Sequence, residues 1–452
     1  MEKIISIFQF ISGLGPAVMM PIIIFILALV FRVKFSDALR AGLTIGVGFI
    51  GLNLIVGIMG DSLGEAVQTI TKVYGLNLSV MDVGWPGVSA VAFAGKAGAM
   101  IIPLCLLTNI IMLLTNTTQT MDVDIWNFWH YALVAAFVEV LTGSFWLAIF
   151  ISMLNFAIVL IIADYSAPAF EKNNDMPGVS IPNAFAAAYW PIAVVLNKLI
   201  DKIPVIRDID INLTEIQKKV GVFGEPIFIG TVLGILMGVI ARYEIGDILT
   251  LGITMGAVLV LIPKMAALLM DGLLPISEAA STFIEKRFSK RGKIYIGLDS
   301  AVGIGHPVTL AVSLILVPIV VFLAVIIPGN QMVPFVDLAV IPYMFVLIIP
   351  VVKSNGFRSL VIGTIVLAVG LLFSTSLADL TTQAAKIAGV AIPNGALKIS
   401  SICDGSSPLL WIFVKFMQFP LVGTFIIAAI TLLLSMINRS RILREAKTLH
   451  ND

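Results

Sequence analysis

Arg32-Val-Lys-Phe-Ser-Asp-Ala-Leu-Arg-Ala-Gly-Leu-Thr-Ile-Gly46 decides the fold, because it returns as Arg242-Tyr-Glu-Ile-Gly-Asp-Ile-Leu-Thr-Leu-Gly-Ile-Thr-Met-Gly256. Six of the fifteen positions are identical at a constant offset of 210, and Arg, Asp and Thr are among them. Chance likeness between apolar segments does not select matched charged residues. The same offset pairs Pro16 with Pro226 and Asp61 with Asp271. After small gaps Asp82 meets Asp299, Pro103 meets Pro318, and Ile181-Pro182-Asn183 meets Ile392-Pro393-Asn394. In an apolar chain, such self-similarity points to two related halves packed about a pseudo-twofold axis.

The chain is apolar enough for that reading. Of its 452 residues 59% are hydrophobic and 12% charged, with a mean hydropathy of +1.05. A soluble domain carries roughly a quarter charged residues, so the solvent here is lipid. Uncharged runs at Leu14–Phe31, Ala41–Gly60, Ala97–Met121, Val140–Ala163, Ser300–Val336, Ser359–Ala378 and Phe416–Asn438 are near or above the ~18 residues of a spanning helix. Ser300–Val336 is long enough for a re-entrant piece plus a helix. The net charge of +1 gives no sign of a nucleic-acid partner. Two cysteines without a spacing motif support neither a disulfide framework nor a metal site. The first apolar stretch lacks a small-residue cleavage site and reads as a retained helix.

Lys and Arg placement sets orientation, since cytoplasmic loops are enriched in both. Arg32–Arg40 holds three basic residues and one acid, whereas its mate Arg242–Asp247 holds one basic residue and two acids. The next pair is reversed: Ser62–Leu78 has only Lys72, and Ser281–Lys293 has Lys286, Arg287, Lys290, Arg291 and Lys293. The connector (Lys198, Lys202, Arg207, Lys218, Lys219) and the tail (Arg439, Arg441, Arg444, Lys447) are basic too. One arrangement satisfies every loop: N-terminus outside, C-terminus cytoplasmic, about 11 transmembrane helices. The expectation is an all-α polytopic membrane protein of two inverted five-helix repeats with re-entrant hairpins. Residues 1–200 form the first repeat, 201–221 a cytoplasmic linker, 222–415 the second repeat, and 416–452 the final helix and tail.

Inverted-repeat transporters hold solute where helices are broken by Gly and Pro at matching places. Broken backbone at membrane depth is tolerated only in protein or against a cavity. Four stretches qualify: Met81–Gly87, Leu298–Pro307, Gly178–Ala184 with Tyr189-Trp190-Pro191, and Cys403–Pro408. Ionisable residues at that depth are costly, on the order of 2.5–3.5 kcal/mol each, which makes them candidate sites. Candidate solute contacts are His130, Glu139, Asn183, His306, Asp404 and Ser406, with Trp85 offering an aromatic face. Helix-packing hydrogen bonds and an interfacial aromatic belt are the competing readings. Asp82 and Asp299 serve equally as hairpin caps, and with Pro86, Pro182 and Pro408 they organise the hairpins. Asp337 reads as the cap of a helix after a surface loop. No nucleophile elbow, phosphate-binding loop or metal cluster is present, so no catalytic residue, cofactor or metal is expected.

At these segments the chain resembles the IIC permease of the phosphoenolpyruvate-dependent phosphotransferase system, galactitol type, in the ascorbate–galactitol superfamily. The resemblance rests on Leu14-Gly-Pro16, Asp82-Val-Gly-Trp-Pro-Gly87, Asp124-Ile-Trp-Asn-Phe-Trp-His130, Phe223-Gly-Glu-Pro226, Ile296-Gly-Leu-Asp299, Pro328-Gly-Asn-Gln331 and Ser406-Ser-Pro408. It implies a core domain moving elevator fashion against a dimerising scaffold in the membrane lipid of a bacterial cell. It further implies a sugar or polyol solute, galactitol or a relative, and separate cytosolic IIA and IIB subunits. The phosphorylated cysteine then belongs to IIB, and neither Cys105 nor Cys403 is expected to carry phosphate. An ion-coupled sugar or organic-solute symporter, with Glu139 or Asp82 as ion site, is the rival reading. An intramembrane enzyme using His130 and Glu139 would need a nucleophile or metal that the sequence does not offer.

Overall fold

The computed structural model describes residues 16–30, 32–74, 79–122, 124–209, 211, 225–288, 293–304, 306–390, 392–393 and 396–449. Helix α1 (Pro16–Val30) ends at Arg32, a left-handed residue (φ 63°) whose N–H bonds Leu29 O at 3.0 Å, while Val33 N–H bonds Ala28 O at 2.9 Å. Such a left-handed cap closes a helix and turns the chain. It leads into α2 (Phe35–Tyr74). The same cap geometry recurs at Arg242 (φ 59°), whose N–H bonds Val239 O at 3.0 Å while Tyr243 N–H bonds Gly238 O at 3.0 Å.

α2 has 40 residues, about 60 Å at 1.5 Å per residue, roughly twice the hydrocarbon thickness of a bilayer. No proline interrupts residues 35–74, so most of the stretch Ser62–Leu78, which sequence reads as a loop, is helix as far as Tyr74. The basic stretch Ser281–Lys293 likewise stays helical to Phe288. Across the Arg242 turn α8 (Pro226–Ile240), with proline in its first turn, leads into α9 (Ile245–Phe288). Gly272 packs on Ala41 and Ile45 while Gly51 packs on Met265, so α2 and α9 run antiparallel. These four helices pack mainly on one another.

The remaining elements form the second body. From the first part of the chain come β1 (Val80–Asp82), α3 (Gly84–Ala94), α4 (Gly98–Leu114), β2 (Thr120–Asp122), α5 (Trp129–Thr142), α6 (Phe145–Asn174), β3 (Val179–Ser180) and α7 (Ala184–Ile200). From the second come β4 (Tyr295–Gly297), α10 (Pro307–Ile326), β5 (Met332–Val333), α11 (Ile341–Phe345), α12 (Ile348–Val351), α13 (Gly356–Ile387), β6 (Lys398–Ser400) and α14 (Pro408–Met417). A last helix, α15 (Pro420–Leu449), follows. Caps set several starts: Ser144 for α6, Asn183 for α7, Asn355 for α13 and Ser407 for α14 each accept a backbone N–H two or three residues inside the helix.

The helical chain carries two small parallel sheets that sequence does not disclose. One has the order β5-β1-β6, the other β2-β4-β3. In each, the central strand comes from one part of the chain and both flanking strands from the other. Extended backbone between broken helices must still pair its N–H and C=O groups away from water, and each part satisfies the other's. The core of this body holds fully buried aromatics, including Phe128, Trp129, Tyr131, Phe156, Tyr189 and Phe345. Among the described residues five helical stretches are long and apolar enough to cross a membrane: Ile125–Thr142, Phe145–Asn174, Pro307–Ile326, Gly356–Ile387 and Pro420–Ala446.

Candidate functional site

At the end of β1, Asp82 is fully buried and acts as a cap on two chains at once. Its Oδ1 accepts Gly84 N–H at 2.9 Å, and its Oδ2 accepts Phe335 N–H at 2.9 Å and Asp337 N–H at 3.0 Å. Asp337 returns the arrangement, accepting Trp85 N–H and Cys403 N–H, both at 2.8 Å. Two carboxylates thus hold the broken segments at 82–86, 335–340 and 401–408 in fixed register. Asp337 is fully buried, which corrects the surface-loop reading of its segment: β5 and the following 3-10 turn run inside the protein. Asp299 caps more locally, accepting Ala301 N–H at 3.0 Å and the Ser300 hydroxyl at 3.1 Å.

These segments surround a cavity of about 460 Å³, part of it open to solvent. Its wall includes Trp85, His130, Asn183 and Asp299 from the sequence-derived candidates. His130 sits at the start of α5 with its Nδ1 2.8 Å from Asp404 Oδ2; both residues are buried. The opposite ring nitrogen faces Asn183 Nδ2 at 3.5 Å, while Asn183 Oδ1 accepts Ala186 N–H at 3.1 Å. Trp129 lies against the imidazole, ring centres 3.9 Å apart. His130, Cys403 and Asp404 bring polar atoms within 4.8 Å of one another, and at 2.8 Å the His130–Asp404 pair is at hydrogen-bond distance, closer than two ligands of one tetrahedral ion sit.

The structure separates the other candidates from this wall. Ser406 is buried behind it, bonded to Ile402 O and 2.5 Å from the Tyr189 hydroxyl, so it fastens α7 to the 401–408 hairpin. Pro182 O accepts the Tyr131 hydroxyl at 3.1 Å, and Pro86 O accepts the Ser89 hydroxyl at 2.9 Å. Pro408 opens α14 behind the Ser407 cap. Glu139 lies about two and a half turns along α5 from His130 and pairs with the exposed Lys96 at 3.4 Å. His306 precedes Pro307 at the start of α10, half-buried, and is not in the cavity wall.

Sequence reasoning passed over much of the wall: Trp126, Asn127, Trp129, Phe185, Ser300, Val340, Tyr343 and Cys403. A signal existed for three of them, since Trp126, Asn127 and Trp129 stand in one run with His130. The strand before that run is anchored by Asn109, whose side-chain amide donates to Thr120 O at 2.9 Å and accepts Asp122 N–H at 3.0 Å. Asp122 in turn caps Asp124 N–H at 3.0 Å, and Asp124 holds Asn127.

Bilayer-length apolar helices around a partly open cavity walled by tryptophan, histidine, amide and carboxylate groups fit a multi-pass membrane transporter. Residues 9–395 match the family described as the PTS system sugar-specific permease component. The galactitol-specific EIIC component of the PTS from Escherichia coli (strain K12) is 36% identical over 428 residues, 94% of each chain. A putative permease IIC component of the same strain is 36% identical over 438 residues, 97% of this chain and all of that protein. The chain belongs to the family of PTS sugar-specific permease components.

Proposed function

We propose that this permease is the translocating IIC subunit of a phosphoenolpyruvate-dependent phosphotransferase system, carrying galactitol or a related polyol across the bacterial inner membrane. Separate IIA and IIB subunits supply the phosphoryl group at the cytoplasmic face. The cavity carries the reading: its tryptophan faces suit C–H edges, and its imidazole, amide and carboxylate groups suit an uncharged solute rich in hydroxyls. The near full-length galactitol-specific relative points to the same solute class. Trp85, His130 and Asn183 contact the solute. Asp404 and Ser406 act from behind the wall, and Asp82, Asp299, Pro86, Pro182 and Pro408 organise the hairpins.

The two parts of the chain are inverted repeats (1–200 and 222–415) joined by the 201–221 linker, with 416–452 as final helix and tail. The antiparallel α2 and α9 and the interchangeable roles of the two sheets support this. Orientation has support in a continuous network. Arg441 Nη2 bonds Gln119 Oε1 at 3.2 Å, Tyr295 N–H bonds Gln119 O at 2.9 Å, and Lys293 beside Tyr295 bonds Glu171 at 2.8 Å. Ser354 then bonds Asn173 at 2.8 Å, and Arg358 bonds Asp201 at 2.6 Å and Arg207 O at 2.7 Å. That Arg441, Lys293, Asp201 and Arg207 are reached by one set of contacts supports reading their side of the protein as the cytoplasmic one. The α1, α2, α8 and α9 body is the dimerising scaffold, and the body holding the cavity is the core that moves elevator fashion within the lipid.

Uptake of labelled galactitol into vesicles is the test. Phosphoenolpyruvate-dependent accumulation of galactitol phosphate is expected. Free galactitol accumulated on an ion gradient would replace this reading with that of a symporter.

A further inference from the structure

We propose that His130 Nε2 is the general base that takes the proton of the solute hydroxyl as that hydroxyl is phosphorylated, with Asp404 as its positioning residue. The proposal rests on the phosphotransferase reading above.

The partners of the ring assign its protons. A carboxylate only accepts hydrogen bonds, so the 2.8 Å contact with Asp404 Oδ2 places a proton on His130 Nδ1. In a neutral imidazole the other nitrogen, Nε2, is then an acceptor. Asn183 agrees with this. Its Oδ1 is committed to Ala186 N–H as the cap of α7, so the amide face turned to Nε2 is the donor NH2 group. That Asn183–His130 contact, at 3.5 Å, is at the long limit for a hydrogen bond. A solute hydroxyl entering the cavity replaces it at little cost and points its own proton at the same lone pair. A base held in one tautomer by a buried carboxylate, with its free nitrogen on a solute cavity, is the arrangement that proton abstraction requires.

The step balances as follows. The solute hydroxyl oxygen bonds the phosphorus of the phosphocysteine on IIB, and its proton passes to His130 Nε2. The P–S bond breaks with its electron pair on sulfur, leaving a cysteine thiolate on IIB. Asp404 faces the imidazolium that forms and stabilises its charge without taking the proton. Because His130 is on α5 and Asp404 on the 401–408 hairpin, the pair exists only when both parts of the core are docked.

The experiment separates binding from transfer in the purified full-length permease. Equilibrium binding of labelled galactitol is measured without IIB, and single-turnover formation of galactitol phosphate is measured with phosphorylated IIB. His130→Gln, which alters a solute contact, is expected to weaken galactitol binding by about tenfold or less, the remaining binding reporting a folded site, and to slow transfer by about 100-fold or worse. Asp404→Asn is expected to slow transfer with binding retained. The double variant should be no slower than His130→Gln alone, because the two residues act as a unit. Unchanged transfer in His130→Gln, equal losses of binding and transfer, or a further loss from Asp404→Asn in the His130→Gln background would each overturn the proposal. Wild-type protein that binds galactitol but yields no phosphate ester overturns the phosphotransferase reading itself.

Discussion

Asp82 and Asp337, 255 positions apart, cap each other's segments: Asp82 Oδ2 accepts the N–H of Asp337 at 3.0 Å, and Asp337 Oδ1 accepts the N–H of Trp85 at 2.8 Å. A helix broken inside a bilayer leaves N–H groups that neither water nor the next turn can satisfy. Here the missing acceptors come from the opposite part of the chain. The cavity is consequently a joint product of both parts, and neither can build it alone.

Asp82→Ala removes the acceptor of three buried N–H groups. Hydrogen bonds to charged groups contribute about 1.5–3 kcal/mol each, so a loss of about 3 kcal/mol or more is expected, read as a lower melting temperature in detergent. Asp337→Ala should cost a similar amount. The double variant should cost less than the sum, because both carboxylates fix the same segments; strict additivity would show that they act independently.

Gly84 has φ +67°, and a Cβ there would lie 2.8 Å from Val336 Cβ and 3.0 Å from Asp337 Oδ1. Gly84→Ala therefore meets both the left-handed backbone cost of about 1–2 kcal/mol and a collision with the capping turn. Gly178, at φ +80°, has open space around it and isolates the backbone cost. Gly178→Ala is expected to stay near that cost, whereas Gly84→Ala should at least double it and weaken galactitol binding. Equal melting temperatures for the two would contradict the packing at Val336.

The contrast between Gly84 and Arg32 marks what sequence discloses. The 210-residue offset places the starts of α1 and α8 at Pro16 and Pro226, and those of α2 and α9 at Phe35 and Ile245. Helix ends carry local chemistry there: a proline in the first turn, a left-handed Arg at the close. Asp82 and Asp299 were legible as caps for the same reason. Asp337 was legible as a cap too, but its burial and its partners were not, because Trp85 and Cys403 are 252 and 66 positions away. Strands of two or three residues are too short for alternation to register, so neither sheet was visible. Trp126 and Trp129 stand beside His130, yet tryptophan also populates membrane interfaces, and sequence alone does not decide between belt and wall.

Glu139 separates the two transport readings. Its ion pair with Lys96 joins a side chain 71% exposed to one 19% exposed, and surface pairs of this kind contribute about 0–1 kcal/mol. Glu139→Gln should keep phosphoenolpyruvate-dependent uptake and melt within a few degrees of wild type. Loss of uptake with galactitol binding intact would instead make this carboxylate a coupling site.

The tail helix predicts a different kind of loss. Asn438 Nδ2 donates to the fully buried Asp164 Oδ2 at 2.6 Å and to Thr117 O at 3.0 Å, which ties α15 to α6 and to the turn ahead of β2. Asn438→Leu keeps the bulk and removes a bond to a carboxylate, so about 1.5–3 kcal/mol should go. Arg439→Ala, which removes an exposed contact to Thr115 O, should cost well under that in the same melting assay.

Cys403 and Cys105 offer a direct readout of the cavity. Cys403 lies in its wall at 5% exposure, while Cys105 has none and is not in the wall. A small methanethiosulfonate reagent entering by the solvent-open part of the cavity should modify Cys403 and leave Cys105 untouched. Galactitol occupying the same space should slow the modification in proportion to its occupancy, giving a dissociation constant independent of transport. Cys403→Ala should abolish labelling. If saturating galactitol leaves the labelling rate unchanged, the solute binds elsewhere, and the assignments of Trp85, His130 and Asn183 as contacts fall with it.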